Sequence, residues 1–389
     1  MKIEYFCVDN SRSQPHYRRT IRTLKRIFIV AGDTSGDAHA AKLMRALKEQ
    51  IPNVEFIGIG GQEMEREGLE SLVSLREISV VGFWEVAKRY TFFRQLLKKC
   101  EELLEHSSVD CFLPVDYPGF NMRLAAFAKK KRIPVVYYIA PQLWAWGAGR
   151  AEKLAKCVDT LLVVFPFEVE FFRKFGINTE FVGHPLLDNE IFSQTNIAHD
   201  KRIAFLPGSR LQEVKKHIPV MVQTYELLKK QLPTYRFAIA ASPSIDPNVY
   251  SSMIPSDWEI HTDSRALMKQ STAGIVKTGT STLEAALCRM PFVMMYKTSS
   301  VSYHLSKHLI KLPYISLVNI LANKSIVHEM IQQDARADVL APIVVELCTN
   351  AAKRGQMLDE FTGIRTLLGD TGASRRAAEI IARIVGKKE

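Results

Sequence analysis

The sequence predicts an α/β protein of two domains, each a parallel sheet covered by helices, facing one another across a ligand cleft. Three observations carry this. Short apolar runs alternate with helical patterns from Arg26 onward, as parallel strands joined by helical crossovers require. The chain has 389 residues, 47% of them hydrophobic and 24% charged, which suits two domains with full cores. Two segments of the second half also share one grammar of strand, glycine, hydroxyl and helix, placing two helix starts where an anion can be held between them.

Composition narrows the function classes. A formal charge of +11 and a pI near 9.3 imply an anionic partner: nucleic acid, an anionic membrane face or a phosphorylated substrate. No apolar run reaches the ~20 residues of a membrane-spanning helix, and the first 25 residues lack a secretory h-region. Six scattered cysteines, without a C-x-x-C pair or metal-ligand spacing, read as reduced cytosolic thiols.

Residues 1–25 read as a basic extension, with six Lys/Arg and no acid between Ser11 and Arg26. The first domain, 26–186, opens with a strand at 26–31 that breaks at Gly32-Asp33-Thr34-Ser35-Gly36-Asp37 and enters a helix. This turn is not G-x-G-x-x-G, and Gly58-x-Gly60-Gly61, which follows a further strand, lacks the third glycine at the right spacing, so a dinucleotide fingerprint is not supported. Two acids there would repel phosphate. Hydroxyl recognition, with Ser35 and Gly36 as contacts, stands beside simple capping of helix starts by Asp33 and Asp37. Residues 78–99 interleave Phe83, Trp84, Tyr90, Phe92 and Phe93 with basic residues including Arg94. Phe83, Ala87, Tyr90, Phe93 and Leu97 share one helical face, which suits either core or an interfacial membrane helix; the aromatic and basic load favours an anionic membrane surface.

A strand at 109–115 ends in Asp116-Tyr117-Pro118-Gly119. A carboxylate at the C-terminal end of a parallel strand faces the ligand crevice, so Asp116 is a candidate general base; capping the following helix or ordering the Pro-Gly turn is the alternative. Strands at 135–139, 159–164 and 179–183 complete this sheet, with Trp144 and Trp146 after the first of them as core or as a sugar or acyl wall. Gly183-His184-Pro185-Leu186-Leu187-Asp188 reads as the inter-domain hinge.

The second domain, 187–366, places strands near 203, 236, 258, 273 and 292. After the first, Pro207-Gly208-Ser209-Arg210 opens a helix at Ser209. After the fourth, Lys277-Thr278-Gly279-Thr280 opens one at Ser281, with Glu284 in capping-box position. Unpaired N–H groups and the dipole at both starts suit the diphosphate of a nucleotide-sugar, with Gly208, Ser209, Gly279, Thr280 and Ser281 around it and Arg210 supplying charge. A helix at 300–311 would place His304, Lys307, His308 and Lys311 on one face. Helices at 337–351, 354–368 and 374–386 close the chain, 367–389 forming a C-terminal helical segment. No metal or other cofactor is expected.

Taken together, GDTSGD (32–37), VVGFWEV (80–86), VDYPGFN (115–121), APQLWAW (140–146), FVGHPLLD (181–188), LPGSRLQEV (206–214), TGTSTLEAA (278–286) and YISLVNILA (314–322) occur in an order that resembles the lipid-A-disaccharide synthase family from Arg26 to the C-terminus. The resemblance implies a GT-B fold, two Rossmann-like domains with C-terminal helices packing back on the first. It implies transfer of 2,3-diacylglucosamine from UDP-2,3-diacylglucosamine onto 2,3-diacylglucosamine 1-phosphate, on the cytoplasmic face of the inner membrane of a Gram-negative cell. It carries an essential acid onto Asp116, an essential arginine onto Arg210, and nucleotide contacts onto Glu284 and Asn319. The sequence departs from the family pattern at Asp33, where Glu is usual, and at Gly119, where a second acid can stand. A homodimer is left open. A UDP-sugar epimerase on the same fold and a basic nucleic-acid-binding module are the rivals; no nucleic-acid recognition motif is present.

Overall fold

The structure, a computed structural model, describes residues 24–78, 89–192, 200–299, 303 and 312–386. Seven strands form the first sheet: β1 (Lys25–Ala31), β2 (Val54–Ile59), β3 (Leu69–Ser71), β4 (Cys111–Val115), β5 (Val136–Tyr138), β6 (Thr160–Val163) and β7 (Thr179–Phe181), in the order β3-β2-β1-β4-β5-β6-β7. Six form the second: β8 (Asp200–Leu206), β9 (Arg236–Ala240), β10 (Glu259–His261), β11 (Ser271–Lys277), β12 (Phe292–Tyr296) and β13 (Glu329–Ile331), in the order β10-β9-β8-β11-β12-β13. All pairings are parallel. The fold is therefore the predicted α/β pair of sheets. The three-residue edge strands β3 and β13 are the additions, too short to show any period.

Both faces of each sheet are covered, as crossover helices demand. In β1, Ile27 and Ile29 join one core while Phe28 and Val30 join the other, so the strand is apolar from Ile27 to Ala31 instead of alternating. Each sheet reverses its strand order at its first strand. The crevices lie between β1 and β4 and between β8 and β11, at the strands' C-terminal ends. The loops holding residues 33–37, Asp116, residues 208–210 and residues 278–281 end these four strands.

The chain crosses between the sheets at 182–188, expected as a hinge, and this crossing is fastened by the C-terminal helix Ala373–Gly386. Asp188 accepts from the N–H groups of Gly372 (2.6 Å), Ala373 (3.0 Å) and Ser374 (3.0 Å) and from the Ser374 hydroxyl (2.7 Å). Three of the N–H groups left over at a helix start are thus satisfied by one carboxylate. Arg376 donates to the carbonyls of Val182 and Asp370, both at 2.8 Å, and Gly183 (φ +83) lies so close beneath it that a Cβ would sit 2.5 Å from Nη2. The buried face of this helix (Ala377, Ala378, Ile381, Val385) packs against helix Thr34–Gln50 of the first sheet, as the resemblance implies.

One expectation changes. The helix after the aromatic stretch runs Tyr90–His106, and its inward face is Leu96, Cys100 and Leu104. Phe92 and Phe93 are half-buried against that core, while Tyr90 is 58% exposed and Arg94 is exposed, so the expected stripe divides between core and surface. Phe83 and Trp84, and the helix expected at 300–311, lie outside the described residues. Among the described residues no helix is long and apolar enough to cross a membrane.

Replacing Asp188 by alanine removes a carboxylate that accepts four bonds at this helix start, in the manner of a cap. Asp188→Ala is expected to lower stability by about 1–2 kcal/mol, the upper range for such caps, read as a lower urea midpoint at unchanged slope.

Candidate active site

On the first sheet the crevice is built around Asp116. Asp116 and Tyr117 both have left-handed backbone (φ +45 and +52), a conformation that costs most residues about 1–3 kcal/mol. The surroundings hold them there. The Asp116 N–H donates to the Tyr138 carbonyl (3.1 Å), while its own carbonyl accepts from Asn121 Nδ2 (2.7 Å) and the Tyr137 hydroxyl (2.6 Å). The Tyr117 ring lies on Gly32, where a Cβ would come within 2.1 Å of Cγ, and its hydroxyl donates to the Ile78 carbonyl (3.2 Å). Gly32 thus makes room for the turn that aims Asp116.

The helix Pro118–Lys130 takes no side-chain cap, and its N-cap position is Tyr117. The capping alternative for Asp116 therefore falls. Burial, and then the charge of Asp33, push the Asp116 carboxyl up to about 7, against the pull of the Tyr117 N–H. Nearby, buried Glu168 accepts from Trp144 Nε1 (2.9 Å) and the Phe165 N–H (3.1 Å), fixing the indole edge-on to Phe167. Burial raises Glu168 to about 7 as well.

The acids of the first loop do cap helices. Asp33 is the N-cap of helix Thr34–Gln50 and accepts from Gly36 N–H at 2.7 Å. Asp37, buried, accepts from the N–H groups of Gly61 (2.8 Å), Glu63 (3.2 Å) and Met64 (3.2 Å) at the start of helix Gln62–Arg66. Ser35 is exposed, while Gly36 is buried and already engaged by Asp33.

On the second sheet, Gly208 (φ +110) and Gly279 (φ +119) turn the chain after β8 and β11. The helices begin at Leu211 and Thr280, two residues later and one earlier than expected at Ser209 and Ser281. Neither start has a side-chain cap, Arg210 and Gly279 being the N-cap residues, so the capping box Ser281–Glu284 does not form. Glu284 instead meets Arg265, at 2.9 Å from Nε and 2.7 Å from Nη2. Thr280 is exposed and Ser281 half-buried at the helix start, with Ser209 exposed in the other loop.

Residues missed in the sequence hold these loops. Glu213 Oε1 meets Lys277 Nζ at 3.0 Å and Arg210 Nη1 at 3.4 Å, bridging the two switch-point loops. His217, buried, accepts from the Lys297 N–H at Nε2 (3.1 Å), so its proton sits on Nδ1 and donates to the Pro207 carbonyl (2.6 Å). Burial lowers its pKa and keeps it neutral. Only Glu213 carried a signal, three residues beyond Arg210 on the same helical face.

Asn319 differs from expectation. It is fully buried, its Oδ1 accepting from the Ile326 (2.8 Å) and Val327 (2.9 Å) N–H groups. Its Nδ2 donates to the Val327 carbonyl (2.8 Å) and Glu329 (2.9 Å). An amide so engaged shapes the 326–329 loop and has no donor left for a nucleotide.

With this geometry, comparisons with known proteins become decisive. The family model described as lipid-A-disaccharide synthetase matches residues 27–385. The chain belongs to the lipid-A-disaccharide synthase family. Synthases of Myxococcus xanthus and Anaeromyxobacter sp. strain K are 34% and 36% identical to it, covering 92% and 94% of this chain and 97% and 98% of their own. Among solved structures, the glycotransferase of kitacinnamycin (14% identity, TM-score 0.63, covering 93% of this chain and 99% of its own) shares the fold. So does the UDP-GlcNAc 2-epimerase of Neisseria meningitidis bound to UDP-GlcNAc (12%, 0.61, covering 93% and 100%). The structural likeness carries the two-sheet GT-B architecture alone; the sequence match carries the activity. Lipid-A-disaccharide synthase is a glycosyltransferase of lipid A biosynthesis that takes a UDP-sugar.

Asp116 yields a stability prediction with a definite sign. Its folded pKa of about 7 lies above the ordinary 3.8, so the folded state holds the proton more tightly and stability falls as pH rises between these values. Asp116→Asn removes that loss, and asparagine tolerates left-handed backbone. The variant's stability advantage over wild type, measured by urea melts, is expected to grow with pH across that window and then level off.

Proposed function

We propose that this chain transfers 2,3-diacylglucosamine from its UDP derivative to the 6-hydroxyl of 2,3-diacylglucosamine 1-phosphate, with inversion, releasing UDP and forming a β-1,6 disaccharide 1-phosphate. The observation that carries this is the pairing of functions at two switch points, a strained, proton-affine carboxyl on one sheet and a cationic, uncapped pair of helix starts on the other.

The residue roles follow from charge. The acceptor hydroxyl loses a proton as it attacks the anomeric carbon, and Asp116 in its ionised form takes it. A carboxyl with a pKa near neutrality balances availability against basicity better than an ordinary aspartate. The departing diphosphate gains negative charge, which Arg210 and the N–H groups at Leu211 and Thr280 stabilise without reorganising. Ser35, Ser209, Thr280 and Ser281 are the hydroxyl contacts of the two substrates, Gly36, Gly208 and Gly279 supplying backbone room. Glu284 takes the nucleoside hydroxyls, exchanging or sharing its contact with Arg265. Asn319 acts one step removed, through the 326–329 loop. The step draws on no metal or cofactor.

Both substrates are acylated, so the chain must meet a membrane. Tyr90 and Arg94 at the start of helix Tyr90–His106, together with Phe83 and Trp84 just before it, are the proposed contact with an anionic inner leaflet. The same reading has the protein peripheral, on the cytoplasmic side. The epimerase reading loses ground to the 34–36% identity with named synthases.

Asp116→Asn and Arg210→Ala are each expected to lower turnover by about two orders of magnitude or more, with UDP release as the assay. A folded variant with near-normal turnover removes that residue from the mechanism. Asp33→Asn, which takes away the negative charge facing Asp116, is expected to move the acid limb of the kcat/KM profile to lower pH. Diacylated donor should release UDP far faster than unacylated donor; equal rates would count against a lipid substrate.

A further inference from the structure

We propose that Lys277 is a second cation for the donor diphosphate, held at the mouth of the second crevice by Glu213, so that each switch-point loop contributes one positive side chain. The proposal rests on the donor site described above and adds to it a ligand contact that no motif indicated.

The first ground is position. Strand β11 is buried as far as Val276, and Lys277 is its last residue, at the end where the strand order reverses. Its side chain is 16% exposed, enclosed yet reachable. The second is what lies at Gly279. Among the described residues, a Cβ built there would have one heavy atom within 4 Å outside its chain neighbours, Lys277 Nζ at 3.6 Å. The glycine that opens the loop to a ligand therefore opens it onto an ammonium group.

The third is the charge pattern. Lys277 and Arg210 share one oxygen of Glu213, at 3.0 and 3.4 Å, while the other oxygen is enclosed without a partner among the described residues. That free oxygen sits beneath Gly208, 2.5 Å from where its Cβ would be. Two cations on one carboxylate leave a net positive cluster between two helix starts whose dipoles also favour an anion. Glu213 satisfies the cations while the site is empty. A diphosphate then competes for the longer Arg210 contact, while the shorter bond keeps Lys277 in place.

The test uses the full chain and two probes, UDP and uridine, which differ only in the diphosphate. Dissociation constants are measured by titration calorimetry for wild type, Lys277→Gln, Lys277→Arg and Arg210→Ala. Glutamine keeps a donor towards Glu213 but has no charge. Lys277→Gln is expected to weaken UDP about tenfold or more with uridine unchanged, and Lys277→Arg to restore UDP to within about threefold. Unchanged UDP affinity in Lys277→Gln, or equal weakening of both probes, overturns the proposal, the latter assigning Lys277 a structural role.

If Lys277→Gln fails to fold, the same ratio is read on the double variant Lys277→Met/Glu213→Met, which replaces a buried pair by packed apolar groups. There a fall in UDP relative to uridine supports Lys277, and an unchanged or raised ratio overturns it. Arg210→Ala separates the two levels. If it weakens UDP while the Lys277 variants do not, the donor site stands and this extension fails; if neither matters, the donor site itself is misplaced.

Discussion

A parallel sheet opens a crevice only where neighbouring strands send their crossovers to opposite faces, and in this protein that happens once in each sheet, beside β1 and beside β8. The groups assigned to proton transfer and to the diphosphate hang from those two gaps. The constraint is strict at the backbone. Chains leaving adjacent strands in opposite directions must turn sharply, and the turning residues must leave room for what lies opposite. Gly32 yields to the Tyr117 ring, while Gly208 and Gly279 adopt backbone angles that side chains rarely take. The chemistry is a consequence of that geometry.

At the first gap the cost appears as strain and desolvation together. Two consecutive non-glycine residues in left-handed conformation, one carrying a half-buried carboxyl, are retained only because Asn121, Tyr137, Tyr138 and Gly32 leave few alternatives. Ordinary capping would have relaxed the carboxyl and lowered its pKa. The helix beginning at Pro118 lacks that cap, so Asp116 keeps both its aim and its affinity for a proton.

How much of this was legible in the sequence depended on range. Apolar runs and glycine turns report local structure, so all strands but the short edge strands β3 and β13, the two switch-point loops and the three closing helices could be read directly, with errors of a residue or two at helix starts such as Thr280. Partners distant in sequence could not. Asp37 looks like a loop acid until its contacts at Gly61 and Met64 are seen. Glu284 fits a capping box with Ser281 until Arg265 claims it. Asn319 sits within a family motif, which marks the position without saying whether it touches ligand or shapes the loop that does. Lys277 and Arg265 belong to no spacing rule, because their meaning lies in which loop the fold sets opposite.

The second gap poses an electrostatic question: why a carboxylate stands inside a cradle for phosphate. An arginine and a lysine brought together in a partly dehydrated site repel one another and lose hydration, so an empty cradle of cations alone would be unstable and would splay. Glu213 supplies the missing anion from within the first turn of its own helix, where the dipole already favours a carboxylate. Because it binds the two cations unequally, at 3.0 and 3.4 Å, the cluster has a firm half and a yielding half. Charge stabilisation in a transition state is effective when the stabilising groups are already in place. An internal counterion that keeps them in place, while leaving one free to change partners, meets both demands, and His217 extends the same logic to the backbone by fixing Pro207 to Lys297 beside them.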